Sequence, residues 1–205
     1  MSGGLSRRDL IRSAAGFAST VAVAKTAWAA PAQWYIGIIP DEPFPIRVVD
    51  KFRVPGAFHR QVVPFSGPEP PGTLVVARAD RFLYFVEPGR RALRFGISVG
   101  RQGMEWQGEA VVGRKAKWPT WTPTANMRRR DPSLPVSVPG GPANPLGARA
   151  LYLFRDGRDT LYRIHGTNQP SSIGKAASSG CIRMLDEHIF ELYASVPTGT
   201  RVVVR

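Results

Sequence analysis

The chain has 205 residues, 43% of them hydrophobic, which suits one globular domain with a real core. Its 19 prolines and 21 glycines predict turns and long ordered loops and speak against a helical bundle, and its single cysteine excludes a disulfide scaffold. The formal charge of +13 favours polyanionic partners: nucleic acid, anionic lipid head groups or an acidic cell-wall polymer.

Ser6-Arg7-Arg8-Asp9-Leu10-Ile11 is a twin-arginine pattern, the address read by the Tat export route. Ala14 to Ala24 is small and weakly apolar, and Ala27-Trp28-Ala29 offers an A-x-A cleavage site. The run is shorter than the roughly 20 residues a spanning helix needs, and Lys25 interrupts it. Residues 1–30 are therefore expected to be a cleaved signal, leaving no transmembrane anchor and a protein in the periplasm or cell envelope. Its removal takes away Arg7, Arg8, Arg12, Lys25 and Asp9, which leaves 24 basic against 14 acidic side chains and a charge of +10. Export argues against nucleic acid, and no basic helix or RNA-binding signature is present, so the wall is the consistent partner.

Residues 31–71 are punctuated by proline and read as an extension leading into the domain, with Ile46 to Val49 and Gln61 to Phe65 as edge strands. His59 lies here and is given no role. From residue 72 the texture is that of a catalytic domain. Three runs rich in Val, Phe, Tyr and Ile (from Thr73, Arg81 and Arg91) predict an antiparallel meander turning at Ala79-Asp80 and at Glu87-Pro88-Gly89-Arg90. Gly113 to Gly147 holds seven prolines, two tryptophans and Arg128-Arg129-Arg130, and is expected to be a largely irregular wall or lid over a site.

Asp156-Gly157 predicts a tight hairpin between Ala150–Phe154 and Thr160–His165, placing His165 at a strand exit. Asp186 is expected to cap one helix, Glu187 to Val196, whose Ile189, Leu192, Tyr193 and Val196 fall on one face, with His188 solvated in its first turn. Gly199 then opens a last strand, Thr200 to Val204.

The only cysteine, Cys181, stands sixteen residues after His165, and each adjoins a glycine. A thiol and an imidazole are the minimum parts for covalent catalysis, with the imidazole expected to lower the thiol pKa by pairing with the anion. No carboxylate falls between His165 and Asp186, so a backbone carbonyl, that of Gly166, is the candidate to orient the ring. Ser178-Ser179-Gly180-Cys181 supplies successive N–H groups for an oxyanion hole, with Ser179, Gly180 and Cys181 as donors. Arg183 would share the side of the nucleophile and hold a substrate carboxylate, with Ser178 also in reach of substrate. No metal-ligand or cofactor motif is found, so neither is expected.

Ile-His165-Gly166-Thr…Ala-Ser178-Ser179-Gly180-Cys181-Ile-Arg183-Met resembles the signature of the YkuD-type L,D-transpeptidases: His-Gly, a gap, then Ser-His-Gly-Cys-hydrophobic-Arg. The likeness runs from about Pro71 to Val204. It implies a mainly β fold, a mixed β-sandwich or open barrel with one or two short helices and a long Pro/Gly-rich loop near the site. It also implies Cys181 as nucleophile and His165 as general base. The substrates implied are peptidoglycan stem peptides: the thiol attacks the amide after the third residue, and an amine takes the thioester. The acceptor is open between another stem, a protein amine and a free D-amino acid. Ser179 stands where the family usually has a second histidine, a departure that touches the acceptor side. Two other readings remain at this point: a hydrolase on the same scaffold, in which water takes the thioester, and a non-catalytic wall-binding module.

Overall fold

The computed structural model describes residues 30–101, 106–178 and 180–205. The expected export signal in residues 1–29 and the expected oxyanion donor Ser179 lie outside the described residues.

The extension forms a two-stranded antiparallel sheet, β1 (Tyr35–Ile39) with β2 (Ile46–Val49), and then β3 (Gln61–Pro64), which pairs at the edge of the main sheet. The meander follows as β4 (Leu74–Ala77), β5 (Phe82–Glu87) and β6 (Arg91–Gly96), all antiparallel as expected. Short β7 (Val99–Gly100) leads to long β8 (Gly108–Lys117) and the one-turn helix α1 (Ala125–Arg130). The hairpin strands are β9 (Arg149–Arg155) and β10 (Arg158–His165), with Asp156 and Gly157 both at positive φ, 51° and 73°, as a two-residue hairpin turn requires. β11 (Ala176–Ser178), β12 (Ile182–Arg183), α2 (Asp186–Ser195) and β13 (Arg201–Val204) complete the chain. Nine strands make one mixed sheet in the order β12-β10-β9-β8-β13-β4-β5-β6-β3, and β11 pairs with β7 apart from it. The described residues are thus mainly β with two short α-helices.

Alternation decides which side chains enter the core. Leu74 and Val76, Leu151 and Leu153, and Val202 and Val204 are buried from neighbouring strands, and Ile189, Leu192 and Val196 of α2 close the same cluster at the spacing read from the sequence. At about 25 cal/mol per Å2, each of these aliphatic side chains contributes about 2 kcal/mol.

Three expectations need correction. The irregular stretch is shorter than expected, because β8 runs on to Lys117 through its pairing with β9. The register slips between Val112 and Arg114, and the Phe154 ring fills the place where a side chain at Gly113 would be. The bulge hides the alternation. Asp186 does not cap α2: Leu185 holds the cap position and Asp186 is the first helical residue, its carboxylate bonded elsewhere. His188 is not solvated. It packs on the Phe95 ring at 5.5 Å with Nδ1 shielded and unpartnered, and burial pulls its pKa down to about 4.

The extension is fastened to the domain by a buried ion pair. Arg149, 2% exposed on β9, donates to Asp41 at 2.7 Å, and the other Asp41 oxygen accepts from Trp118 Nε1 at 2.8 Å. Phe44 meets the Trp118 ring edge-on beside them. The Arg149 hydrogen bond holds the Asp41 carboxyl below the usual range, so this stabilisation is in place at neutral pH and is lost as pH falls through that depressed value. Asp41→Ala strands a buried guanidinium and is expected to cost about 3 kcal/mol in chemical denaturation. Adding Arg149→Met should recover most of that loss; no recovery would mean that packing, not the unpaired charge, carries the effect.

Candidate active site

The site is built where β12 joins β10. The two pair in parallel, Ile164 opposite Ile182 and His165 opposite Arg183, and Met184 N–H donates to the His165 carbonyl at 2.8 Å. Cys181 immediately precedes β12. The same cleft of about 650 Å3 is lined by His165, Ser178, Cys181 and Arg183.

His165 is 4% exposed, and its Nδ1 lies 2.6 Å from the Gly166 carbonyl oxygen. A carbonyl only accepts, so Nδ1 carries the proton and Nε2 keeps its lone pair. Burial first, and then the Arg183 charge, pulls the imidazole down to about 3, against the opposing hydrogen bond to Gly166. Burial likewise pushes the Cys181 thiol up, although the Arg163 N–H and the charges of Arg163 and Arg183 oppose it. The resting pair is therefore neutral thiol and neutral imidazole. This corrects the expectation of an ion pair, and the cause is desolvation, which disfavours both charged forms.

Ser178, 1% exposed, turns inward. Its hydroxyl accepts from Gly180 N–H at 3.1 Å and donates to the Cys181 carbonyl at 2.5 Å, tying the loop that presents the thiol. The Gly180 N–H, one of the expected oxyanion donors, is thus engaged in this structure. Gly180 has φ 127°, a conformation that a side chain would strain. Arg183 faces the cleft and donates one N–H to Gln169 Oε1 at 3.2 Å.

Residues that the sequence reading passed over complete the site. Asp186 Oδ1 accepts from Ala148 N–H and Thr167 N–H, each at 3.0 Å, and so grips the backbone on either side of Gly166. A side chain at Gly147 or Gly166 would run into that carboxylate. Burial raises Asp186 to about 6. Asn144, fully buried, offers Nδ2 to the carbonyls of Pro119, Val138 and Pro139 at 2.8 to 3.0 Å, and accepts from Leu146 N–H at 2.8 Å. One side chain therefore gives the proline-rich segment a shape, and Trp121, Met127, Leu134 and Leu146 from it wall the cleft. On β10, Asp159 Oδ1 accepts from Leu161 N–H at 2.8 Å in a bulge that leaves Leu161 at φ 63° and its carbonyl 3.9 Å from Cys181 Sγ. Arg163 was legible as the residue two before His165, and so on the same strand face. Asp186 left no local signal.

Among the described residues no three His, Cys, Asp or Glu side chains converge as a metal site, and no helix is long and apolar enough to cross a membrane.

The family model of the L,D-transpeptidase catalytic domain, YkuD, matches residues 71–204. The chain belongs to this family. It is 44% identical over 138 residues to an Escherichia coli protein described as a probable L,D-transpeptidase ErfK/SrfK, covering 64% of this chain and 43% of that one. The chain thus spans less than half the length of that relative. A crystal structure from Brucella melitensis, described as a probable carnitine operon oxidoreductase, is 47% identical with a TM-score of 0.51, covering 76% of this chain and 99% of the other. L,D-transpeptidase 3 from Mycobacterium tuberculosis shares the fold at 15% identity and a TM-score of 0.50, over 65% of this chain and 60% of its own.

Two outcomes follow from the geometry. Alkylation of Cys181 by iodoacetamide should stay slow from about pH 6 to about 8 and climb through pH 9 and beyond, because only the thiolate reacts; a flat, fast rate across that lower range would show the ion pair instead. Gly166→Ala should lose about 2 kcal/mol of stability through overpacking against Asp186, read as a lowered melting temperature, and Asp186→Ala in the same chain should return part of it.

Proposed function

We propose that the protein is an exported peptidoglycan L,D-transpeptidase, with residues 72–205 as its catalytic domain, residues 31–71 as an extension and residues 1–30 as a cleaved twin-arginine signal. The observation that carries the reading is the strand pairing that sets His165, its Nδ1 on the Gly166 carbonyl, and Cys181 in one cleft. The family match supports the reaction class.

The donor's scissile carbonyl lies against Cys181 Sγ. Because both partners rest neutral, His165 Nε2 takes the thiol proton as the carbon–sulfur bond forms, so no free thiolate accumulates. The tetrahedral oxyanion collapses by breaking the carbon–nitrogen bond, and the leaving amine takes the proton back from His165. A thioester on Cys181 remains. The acceptor amine then attacks the thioester carbonyl, His165 accepts its proton, and the sulfur departs and is reprotonated. Arg183 holds a donor carboxylate through a charge-assisted hydrogen bond. Gly166 keeps the His165 tautomer throughout. Peptidoglycan stem peptides are the substrates in this reading, and the periplasm or cell envelope its place.

The test uses purified protein and stem peptides. Wild type should show an acyl adduct on Cys181 by mass spectrometry, also with a carbapenem-type donor, and cross-linked products when an amine acceptor is present. Cys181→Ala should lose product formation by at least about 10³-fold, the scale of a removed nucleophile. Cross-linking retained in Cys181→Ala would end the covalent mechanism. Hydrolysed donor without cross-links, at saturating acceptor, would replace transferase by hydrolase.

A further inference from the structure

A single peptide unit, Gly166–Thr167, stands between the His165 ring and the first turn of α2. Its carbonyl accepts from His165 Nδ1 at 2.6 Å, and its N–H donates to Asp186 Oδ1 at 3.0 Å. Imidazole, amide and carboxylate therefore form one series of hydrogen bonds, each donor pointing towards the carboxylate end. Bonds in such a series strengthen one another, because an acceptor that draws the amide N–H leaves the carbonyl of the same amide more negative.

The surroundings fix this series in place. Gly166 N–H donates to the Arg149 carbonyl at 3.0 Å, and the Asp186 oxygen that takes Thr167 N–H also takes Ala148 N–H at 3.0 Å. A Cβ at Gly147 or Gly166 would collide with that same oxygen. Four charged or titratable side chains face the carboxylate. Arg47 of β2 and Arg149 of β9 favour its charged form, while Glu187 of α2 and Tyr35 of β1 are groups whose own ionisation it opposes. Burial outweighs the cations and the two N–H bonds and raises Asp186 to about 6, so its charge changes just below neutral pH. Burial also raises Glu187, to about 7.

We propose that Asp186 is a positioning residue for the reaction, whose ionised carboxylate acts through the Gly166–Thr167 peptide to hold the His165 ring while it takes the Cys181 proton. The proton passes from Sγ to Nε2, Nδ1 keeps its own, and Asp186 receives none. The carboxylate is not among the groups that line the cleft, so it acts only through the peptide. A protonated Asp186 is a poorer acceptor than the anion. The Gly166 carbonyl then holds the newly formed imidazolium less firmly, and proton transfer slows as pH falls through the Asp186 value. The inference rests on the acyl-transfer reading given above.

The experiment separates charge from shape, because Asp186→Asn keeps an oxygen for the two N–H groups and removes the charge. Acylation of Cys181 by a stem peptide is followed by mass spectrometry, and in wild type its rate should rise with pH through about 6. In Asp186→Asn that rise should be absent. The maximal rate at about pH 7.5 should fall by at least about tenfold, the difference between a charge-assisted and a neutral hydrogen bond, with the half-saturating peptide concentration unchanged. Glu187→Gln, which alters the neighbouring carboxyl, should keep the rise. A second readout needs no peptide. The His165 Nδ1–H resonance, seen by nitrogen-edited proton NMR, should shift with a midpoint of about 6 in wild type and in Glu187→Gln, and stay fixed in Asp186→Asn. A pH profile and maximal rate that survive Asp186→Asn, or a wild-type resonance that does not move through that midpoint, would overturn the proposal. The wild-type resonance decides even where the variant does not fold. Failure of stem peptides to acylate wild-type Cys181, with the resonance shift present, would sink the transpeptidase reading and uphold the link from Asp186 to His165.

Discussion

Two register pairs, Ile164 with Ile182 and His165 with Arg183, are what the site depends on. They make β10 and β12 parallel at one end of a sheet that is otherwise mostly antiparallel, and a parallel pair needs a long crossover rather than a tight turn. Here the crossover is the loop after His165, and it does more than connect. Its Ala176–Ser178 portion pairs with β7, Gly174 passes so close to the Phe58 ring that a side chain would not fit, and Ser178 folds the chain back onto Gly180 and Cys181. The bond from Met184 N–H to the His165 carbonyl then closes the arrangement. A thiol sixteen residues from a histidine thereby becomes its neighbour in one cleft.

Asp186 is the second fixed point, and it does not act mainly through stability. A carboxylate raised by burial to about 6 costs folding energy once pH rises through that value, because the unfolded chain would ionise near 4. What the buried charge supplies is geometry. It holds the N–H groups of Ala148 and Thr167 in place, and Gly147 and Gly166 leave the space it occupies. Gly166 in turn offers the carbonyl that fixes the His165 tautomer. The first turn of α2 thus reaches the His165 ring through one peptide unit.

Local pattern made much of the fold legible. Period-two runs announced the meander and the hairpin, Asp156-Gly157 announced its turn, and Ile189, Leu192 and Val196 at helical spacing announced the buried face of α2. What failed were rules applied locally to residues whose partners are distant. Asp186 before a helix reads as a cap, but two N–H groups nearly twenty and nearly forty residues upstream hold its carboxylate. Gly113 and the prolines beyond it masked the end of β8 because a bulge breaks the alternation. His188 beside Glu187 looked solvated, yet its ring lies on Phe95, a residue of β6 that no helical spacing points to. At the site, the residue types and their spacing were legible, whereas the protonation states were not. Desolvation depends on what surrounds a side chain in three dimensions.

The neutral resting pair bears on the purpose of the arginines. Moving a proton from Cys181 to His165 creates a negative and a positive charge side by side. A guanidinium that favours the thiolate also opposes the imidazolium, and Arg163 and Arg183 enter both groups with these opposite signs. Their effects on the transfer therefore largely cancel. The Cys181 thiol gains little from these cations. What distinguishes the thiol and the imidazole from one another is therefore their short-range contacts: the Gly166 carbonyl on the ring, and the Leu161 carbonyl and the Ser178 loop beside the thiol.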